Sequence, residues 1–476
     1  MTRINTNIPS IIAQGQMRTN LNDLNTRLRR LSTGLRINKG ADDPAGLIAS
    51  ETLRSEIGGI KQAISNSDRA INMLATTEGS LNEVSSLLLG IKGLVVQMAN
   101  EGALGPEEIA ADQLEIDSIL SSIDRIANTT QFAGKKLLNG TLDYSLSGVS
   151  TGCLASVQIY SARIPEGAAK GVMVQVTTSA ETAQLSFDNT QDTTSAVTIE
   201  LAGMRGTDIL SFTSGQTFTQ MAVSINAITQ VTGVSAIVTG GALQLNSTDY
   251  GTDAFVSVKS INGTFVHGAN AIVAGVTSSD TGVDTGLLVN GQVANGNGLR
   301  GEIRTATLDA RFYLTAAFAQ SSTSTTFQVT GGGSLFQISP EVSPLGQINI
   351  GLASVSTANL GNTVLGYLNT IKSGGANSVE DGSYITAEDI VNEAINQVAV
   401  FRGRLGSLEK NQIQTNINSQ QVALENVTAS ESVIRDSDMA VEVSALTRAQ
   451  ILVQATQMTL SVANQQPQMA LSLLGG

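Results

Sequence analysis

The sequence predicts an α+β protein: both ends form long helices of a coiled-coil rod, and a mostly β segment with some helix is inserted between them. The first observation is an alternating spacing of three and four residues among five leucines near the start, Leu21, Leu24, Leu28, Leu31 and Leu35. Such spacing is the apolar seam of a coiled coil. The second is a comparable grid near the other end, at Ile417, Leu424, Val427 and Ile434. The third is a Gly, Ser and Thr-rich stretch from about 141 to 375.

A second helix is predicted after the polar break at 36–44. Asp42 and Asp43 precede Pro44. A carboxylate there accepts the free N–H groups of the first turn, and proline suits the first helical position. An apolar stripe continues to about Ala99, so the helix would be about 80 Å long at ~1.5 Å per residue. A helix of that length indicates a rod.

Three further helices are predicted. Gly105-Pro106 starts one that reaches about Asn128. On the return side, Thr386-Ala-Glu-Asp389 is typical of a capping box, and we expect a helix to start there. The last helix is predicted over roughly 442–465, ending before Pro467. Its expected coiled-coil face carries Leu446, Val453 and Leu460.

The middle of the chain is predicted to be mostly β. Alternating runs such as 172–176 and 234–238 favour strands. Gly240-Gly241 before Leu243 indicates a hairpin turn, and the segment 217–230 has helical spacing.

Composition excludes several partners. The formal charge of −13 argues against nucleic acid, which needs clustered Lys and Arg. One cluster of basic residues is present, at Arg27, Arg29 and Arg30. We interpret it as a solvent-exposed side of the helix. No run reaches the roughly 18 apolar residues of a membrane span, so no membrane insertion is expected. The N-terminus lacks an apolar signal-peptide region. Cys153 is the only cysteine, so an intramolecular disulfide is excluded.

No catalytic, cofactor-binding or metal site is predicted. Gly296-Asn-Gly298-Leu-Arg-Gly301 matches a dinucleotide fingerprint, but a strand rather than a helix is expected after it, so we interpret it as a glycine turn. His267 is the only histidine, which excludes a zinc-peptidase helix with two histidines. The pairs Asp42/Asp43 and Asp436/Asp438 are interpreted as helix caps.

Several blocks at the two ends of the sequence resemble those of bacterial flagellin. Residues 31–48 (LSTGLRINKGADDPAGLI), 74–83 and 131–140 look like the family's N-terminal blocks in the expected order. Residues 425–438 and the tail from Thr447 through Ala463-Asn-Gln-Gln-Pro467 to Leu473-Leu474 look like its C-terminal signature. The resemblance covers roughly 1–140 and 385–476. Residues 198–258 also resemble the IN module of some flagellins and hook-associated proteins, named for a dipeptide that is Ile225-Asn226 here.

The resemblance implies three parts. Residues 1–43 with 440–476 would form a terminal coiled-coil domain, 44–150 with 376–439 a helical rod, and 151–375 the outer β-rich domains. In this family the termini order on assembly, and the subunit leaves the cell unfolded through the flagellar export channel without signal-peptide cleavage. The implied location is the extracellular filament. The implied partners are further copies of the chain, an export chaperone, the cap and the hook-associated proteins.

The resemblance also implies a degenerate innate-receptor patch. Flagellins sensed by the Toll-like receptor present a rod-helix surface that maps to 89–97. Leu94 and Glu115 match its contact types, whereas Gly90 stands where sensed flagellins have an arginine, and Gly93 replaces a glutamate. Weak receptor activation is therefore expected, although the two glycines could instead allow close packing between neighbouring subunits.

The function predicted first is a non-catalytic subunit that polymerises into the flagellar filament for motility. A hook–filament junction protein is the alternative, because it shares the helical ends. A surface adhesin carried on a helical stalk is the third.

Overall fold

A computed structural model describes residues 6–100, 102–164, 169–188, 196–265, 272–305 and 307–474. The described helices, in chain order α1 to α9, are Ile8–Thr33, Pro44–Met98, Pro106–Thr129, Phe218–Ala227, Thr229–Thr232, Ala316–Ala319, Tyr384–Leu408, Gln414–Arg435 and Met439–Leu474. One π-helical turn, Glu409–Ile413, separates α7 from α8. Two 3₁₀ turns lie at Pro344–Gly346 and Leu368–Ile371.

The described strands, in chain order β1 to β21, are Gln131–Phe132, Lys135–Lys136, Tyr144–Ser147, Leu154–Ala162, Lys170–Thr178, Thr182–Asp188, Val197–Gly203, Thr207–Phe212, Val234–Thr239, Ala242–Tyr250, Phe255–Asn262, Thr277–Thr281, Gly286–Val289, Gln292–Asn297, Arg300–Arg304, Leu308–Leu314, Ser324–Gly332, Ser334–Gln337, Gln347–Ile350, Gly361–Asn362 and Gly366–Tyr367. The long helices lie at both ends of the chain and the strands lie between them. This confirms the predicted α+β fold class.

The chain divides into two compact units. The first comprises Met1–Asp68, Ile338–Val342 and Ile413–Gly476, and the second comprises Arg69–Gln337 with Ser343–Gln412. The first unit holds α1, α8, α9 and the beginning of α2. The second holds the rest of α2, α3, α7 and the described sheets. The three-part division inferred from the sequence stays a prediction.

In the second unit, the later part of α2 packs against α3 and α7. Its buried stripe repeats at helical spacing through Leu81, Val84, Leu88, Ile91, Val95 and Met98. Polar contacts fix the register: Lys92 Nζ donates to Asn392 Oδ1 at 2.8 Å, and Gln97 Nε2 donates to Asp112 Oδ2 at 2.9 Å. An apolar face of this kind is what stabilises a long helix by tertiary packing.

The same helix bears on the expectation that no segment is apolar enough for a membrane. An 18-residue window of α2 reaches a mean hydropathy of 1.2, so by length and composition alone α2 could cross a bilayer. By this measure, the expectation that no segment is apolar enough for a membrane is wrong. The burial of the stripe inside the chain gives the apolar residues a partner within the protein.

The largest sheet of the second unit has eight antiparallel strands in the order β3-β17-β5-β13-β14-β15-β16-β4. One face packs an apolar core that includes Val174, Leu287 and Phe312. The other face carries charged residues, because alternate residues of a strand point to opposite faces. There Glu302 stands opposite Arg311 in the register of β15 and β16.

Helix α7 is tied to this charged face. Arg404 binds Asp309 at 2.8 Å and also binds Glu302, which in turn binds Arg311 at 3.2 Å. The Arg404 guanidinium also lies over the ring of Tyr160, 3.5 Å from its centroid. Arg311 is 3% exposed, so its charge is paired where water is excluded, whereas Glu302, Arg404 and Asp309 keep some contact with water. The sequence analysis did not foresee this network, which joins residues about a hundred positions apart.

A smaller β-domain of the same unit contains the sheets β12-β11-β7-β8 and β6-β10-β9 with α4. The predicted hairpin is present: Gly240 and Gly241 have φ of 62° and 90° and join β9 to β10. The IN dipeptide also has a clear structural role. Ile225 is buried, and the Asn226 side chain exchanges two hydrogen bonds with the backbone of Ala236, at 2.8 and 2.9 Å. Asn226 therefore fixes α4 to β9.

One predicted helix start is wrong. The segment from Thr386 to Asp389 lies inside α7, which begins at Tyr384 after the cap position Ser383. The sequence pattern of a capping box is present, but the backbone is already helical there. Ser383 is a residue type favoured at this position, but it makes no side-chain capping bond.

Candidate assembly interface in the terminal helices

The first unit contains an antiparallel pair formed by α1 and α9. Position 20 bonds position 452 and position 27 bonds position 442, so residue numbers rise on one helix as they fall on the other. Seam positions on α1, buried or half-buried at alternating steps of three and four, are Ser10, Ala13, Met17, Asn20, Leu24, Arg27 and Leu31. The corresponding positions on α9 are Glu442, Leu446, Ala449, Val453, Thr456, Leu460, Ala463 and Pro467. Both sets follow the coiled-coil period.

The structure places the residues predicted for the seam in two groups. Leu24 and Leu31 are half-buried between the two helices, as are Leu446, Val453 and Leu460 of α9. Within α1, by contrast, Leu21 and Leu28 face outward, with exposures of 37% and 46%. Leu35 lies beyond the end of α1 and forms an isolated bridge with Asp436.

Buried ion pairs hold one end of the helix pair. Glu442, 5% exposed, accepts hydrogen bonds from Arg27 at 3.0 and 3.1 Å and from Arg30 at 3.1 Å. Burial opposes ionisation of Glu442, but the hydrogen bonds and charges of both arginines hold its pKa below the ordinary value. The interpretation of Arg27 and Arg30 as a solvated flank is therefore wrong. Glu442 is the only glutamate of α9, and the sequence around it did not indicate that it pairs with Arg27 and Arg30.

Polar side chains also join α1 to α9 in the middle of the seam, at Asn20, and near the start of α1, at Ser10. Asn20, 6% exposed, donates to the Leu452 carbonyl at 3.3 Å and to Thr456 Oγ1 at 3.4 Å. Ser10 donates to Asn464 Oδ1 at 2.8 Å. A buried polar residue in a coiled-coil seam fixes register at some cost in stability. These contacts make the intrachain seam polar, which is why a search for leucines misplaced it.

The last helix continues through Pro467, so the prediction that it ends before that residue is wrong. Proline has no N–H, and inside a helix it leaves the carbonyl four residues earlier without a partner. That carbonyl belongs to Ala463, and the Asn7 side chain donates to it at 2.8 Å. Asn7 Oδ1 also accepts from the Ser10 N–H at 3.1 Å, which caps α1.

We predict that Asn7→Ala weakens this end of the helix pair. The change leaves the Ser10 N–H and the Ala463 carbonyl without these partners, at a cost of about 1 kcal/mol. Hydrogen exchange measured on assembled protein should become faster at Ser10 and around residues 463–467. Asn22→Ala, at an exposed position of the same helix, is the control. Equal exchange in the two variants would contradict this role of Asn7.

The two aspartates predicted to cap α2 act in different turns of the backbone. Asp43 Oδ1 accepts from the Gly46 N–H at 2.9 Å, and α2 begins at Pro44. Asp42 instead closes the preceding loop, because its Oδ2 accepts from the backbone N–H groups of Asn38 and Lys39 at 3.0 and 2.9 Å. These bonds lower the pKa of Asp42 although burial opposes them.

The outer faces of α1 and α9 remain apolar and exposed. Besides Leu21 and Leu28, the exposed apolar residues are Ile8, Ile11, Ile12, Met439, Val441, Val443, Ile451, Leu452, Met458, Val462 and Met469. Exposed apolar stripes of this extent mark a protein-interaction surface. The seam between the two helices is made by other residues, so these faces are open to other molecules.

The residues predicted for the innate-receptor patch lie on the second unit. Gly90 and Glu115 are exposed and Leu94 is half-buried. A Cβ added to Gly90 would lie 3.8 Å from Ile119 Cδ1. With the Gln97–Asp112 contact, this sets an antiparallel register that brings Leu94 level with Glu115.

No chemical site emerges from the part of the chain that the structure describes. Among these residues, no group of three or more His, Cys, Asp or Glu could hold a metal ion. His267 lies outside the described residues. The glycine motif at 296–301 spans the turn between β14 and β15, with no helix following it.

Comparisons with known proteins agree with this picture. The family description "Bacterial flagellin N-terminal helical region" matches residues 4–143, and "Bacterial flagellin C-terminal helical region" matches 389–474. A flagellin of Clostridium tyrobutyricum is 31% identical over 475 residues, which cover 98% of this chain and 100% of that protein. A flagellin of Salmonella muenchen is 29% identical over 511 residues, covering 99% of each. The solved flagellar hook associated protein-3 of Legionella pneumophila aligns at a TM-score of 0.30 and 12% identity over 80% of this chain and 97% of that one, a likeness too weak to support a conclusion.

Long terminal helices with open apolar faces, flanking β-domains, are typical of a structural subunit of a polymer. The chain belongs to the bacterial flagellin family. Its function is to polymerise into the extracellular flagellar filament that propels the cell.

Proposed function

We propose that the paired helices α1 and α9 are the polymerisation interface of this flagellin and that the chain performs no catalysis. The observation that carries the proposal is the division of each helix into two faces. One face is used within the chain through Asn20 and Glu442, whereas the other leaves Leu21 and Leu28 open. Residues 1–43 with 440–476 then act as the inner coiled-coil domain, 44–150 with 376–439 as the rod and 151–375 as the outer domains.

Seeded polymerisation tests this proposal. Purified protein is mixed with flagellar fragments and imaged by negative-stain electron microscopy. Long filaments that grow from the seeds are the expected result, because each added copy buries its open apolar faces. A chain that stays monomeric under these conditions would contradict it and would point to a junction protein.

The route to the filament and the remaining partners follow from family membership. We propose export through the flagellar channel without cleavage of the N-terminus, with help from an export chaperone, and assembly beneath the cap onto hook-associated proteins. Mass spectrometry of protein taken from filaments checks the first point. A mass that corresponds to the uncut N-terminus is expected, and a shortened chain would contradict it.

We also propose that this flagellin activates the Toll-like receptor weakly. A guanidinium at the centre of an interface typically contributes about 2 kcal/mol or more, and Gly90 supplies none. Gly90→Arg with Gly93→Glu should raise the reporter response about tenfold or more. Neither position is crowded: a Cβ at Gly90 has only Ile119 within 4 Å, and one at Gly93 meets nothing. A native protein as active as the double variant would contradict the proposal.

A further inference from the structure

Three basic residues meet at one corner of the eight-stranded sheet. We call Arg163, Lys170 and Arg304 the cationic corner. The Arg163 N–H donates to the Thr307 carbonyl at 3.0 Å, and Lys170 Nζ donates to the same carbonyl. Arg304 lies on the neighbouring strand with a side chain that is 61% exposed. The three residues therefore lie near the end of β15 and the start of β16.

Among the described residues, nearby carboxylates neutralise this corner only in part. Glu302 is shared by Arg311, Arg404 and Arg304, and Asp309 is bound by Arg404. Within the described ranges, Arg163 and Lys170 have no carboxylate at ion-pair distance. Glu166, between them in sequence, is outside those ranges.

A cleft of about 630 Å³ opens beside Arg304. Phe401, Leu405 and Ile350 form its apolar wall, and Arg304 and Thr305 line it with donors. Asp309 lines it as well, and that carboxylate is bound by Arg404. The cleft has room for side chains of another molecule, and its donors suit a carboxylate with an aliphatic stem.

We propose that the cationic corner and this cleft form a contact between subunits that receives carboxylate side chains of a second copy of the chain. The inference rests on the proposed function, because it requires copies to assemble. Each copy carries a formal charge of −13, with 40 Asp and Glu against 27 Lys and Arg. Identical copies therefore repel overall, and a surface with more cations than carboxylates lowers that repulsion where it meets an acidic one.

The first test compares two variants of equal charge change in filaments of the full chain. Arg163→Gln with Arg304→Gln removes two charges from the corner, whereas Arg125→Gln with Lys372→Gln removes two exposed charges elsewhere. Sedimentation at low ionic strength gives the subunit concentration that remains unassembled. We expect the corner variant to raise it about three- to tenfold over the control. Added salt should narrow the difference between the corner variant and its control, because it screens the local attraction.

A second measurement identifies the occupant. Filaments of Arg304→Lys are grown from a mixture of ¹⁵N-labelled and unlabelled copies and treated with a zero-length carbodiimide. A mixed-isotope adduct that joins the amine introduced by this substitution to a carboxylate supports the proposal. Equal unassembled concentrations for the two charge variants would overturn it while leaving the filament function intact. A corner variant that assembles like its control but loses the retention of wild type on a polygalacturonate column would overturn it in favour of an anionic polysaccharide. Wild type that forms no filament would overturn both.

Discussion

Glu442→Gln is expected to raise the concentration of subunit that stays unassembled by about thirtyfold. The carboxylate is almost fully buried and accepts from Arg27 and Arg30. Its neutral replacement leaves two guanidiniums without their counter-charge in the seam. Breaking a fully buried pair costs about 3–5 kcal/mol. We expect about 2 kcal/mol, because the arginine side chains are 27% and 21% exposed and can reach water.

The control for this variant is Glu425→Gln, which removes the same charge from an exposed position of α8. The effect should also depend on pH. The pKa of Glu442 is lower in the folded pair than its ordinary value of 4.5, so its contribution is complete above that value and is lost as the pH falls below it. Wild type and Glu442→Gln should therefore converge in acid. Equal assembly of Glu442→Gln and Glu425→Gln at neutral pH would contradict the role of this pair.

The double variant Leu21→Lys with Leu28→Lys is expected to abolish filament growth while leaving the unassembled chain unchanged. Both side chains are exposed, at 37% and 46%, and neither occupies a seam position between α1 and α9. On assembly the two leucines would enter an apolar interface, where an unpaired ammonium is strongly disfavoured. Circular dichroism checks the chain, and sedimentation after seeding checks growth.

Leu21→Met with Leu28→Met serves as the matched control, since it keeps apolar side chains of similar volume. This variant should assemble like wild type. Normal filaments from the lysine variant would contradict the outward face of α1 as an assembly surface. If the methionine variant also forms no filaments, the shape of these two side chains, and not their polarity, determines the contact.

The fold class could be read from the sequence because helical and strand periods differ so clearly. The start of α2 at Pro44 and the hairpin at Gly240-Gly241 depend on local chemistry, and local chemistry is visible in sequence. The passage of α9 through Pro467 was missed for the opposite reason. It depends on Asn7, which lies 456 positions from Ala463 along the chain.

Only part of the candidate interface could be predicted from the sequence, for a related reason. Alternating leucines indicated that α1 pairs with something, but two different partners are involved. Leu24 and Leu31 face α9, whereas Leu21 and Leu28 face outward. The choice between them is made by polar residues such as Asn20, which a search for apolar periodicity passes over. The Arg404–Glu302 pair was hidden because it joins segments far apart in sequence.

Electron microscopy of seeded growth tests the central claim most directly, with the intact chain compared with one that lacks residues 1–35. The truncation removes α1 and its seam with α9 while retaining the second unit. Long filaments from the intact chain and none from the truncated chain are the result that pairing of the terminal helices predicts. Filaments of equal length and number from both chains would contradict it.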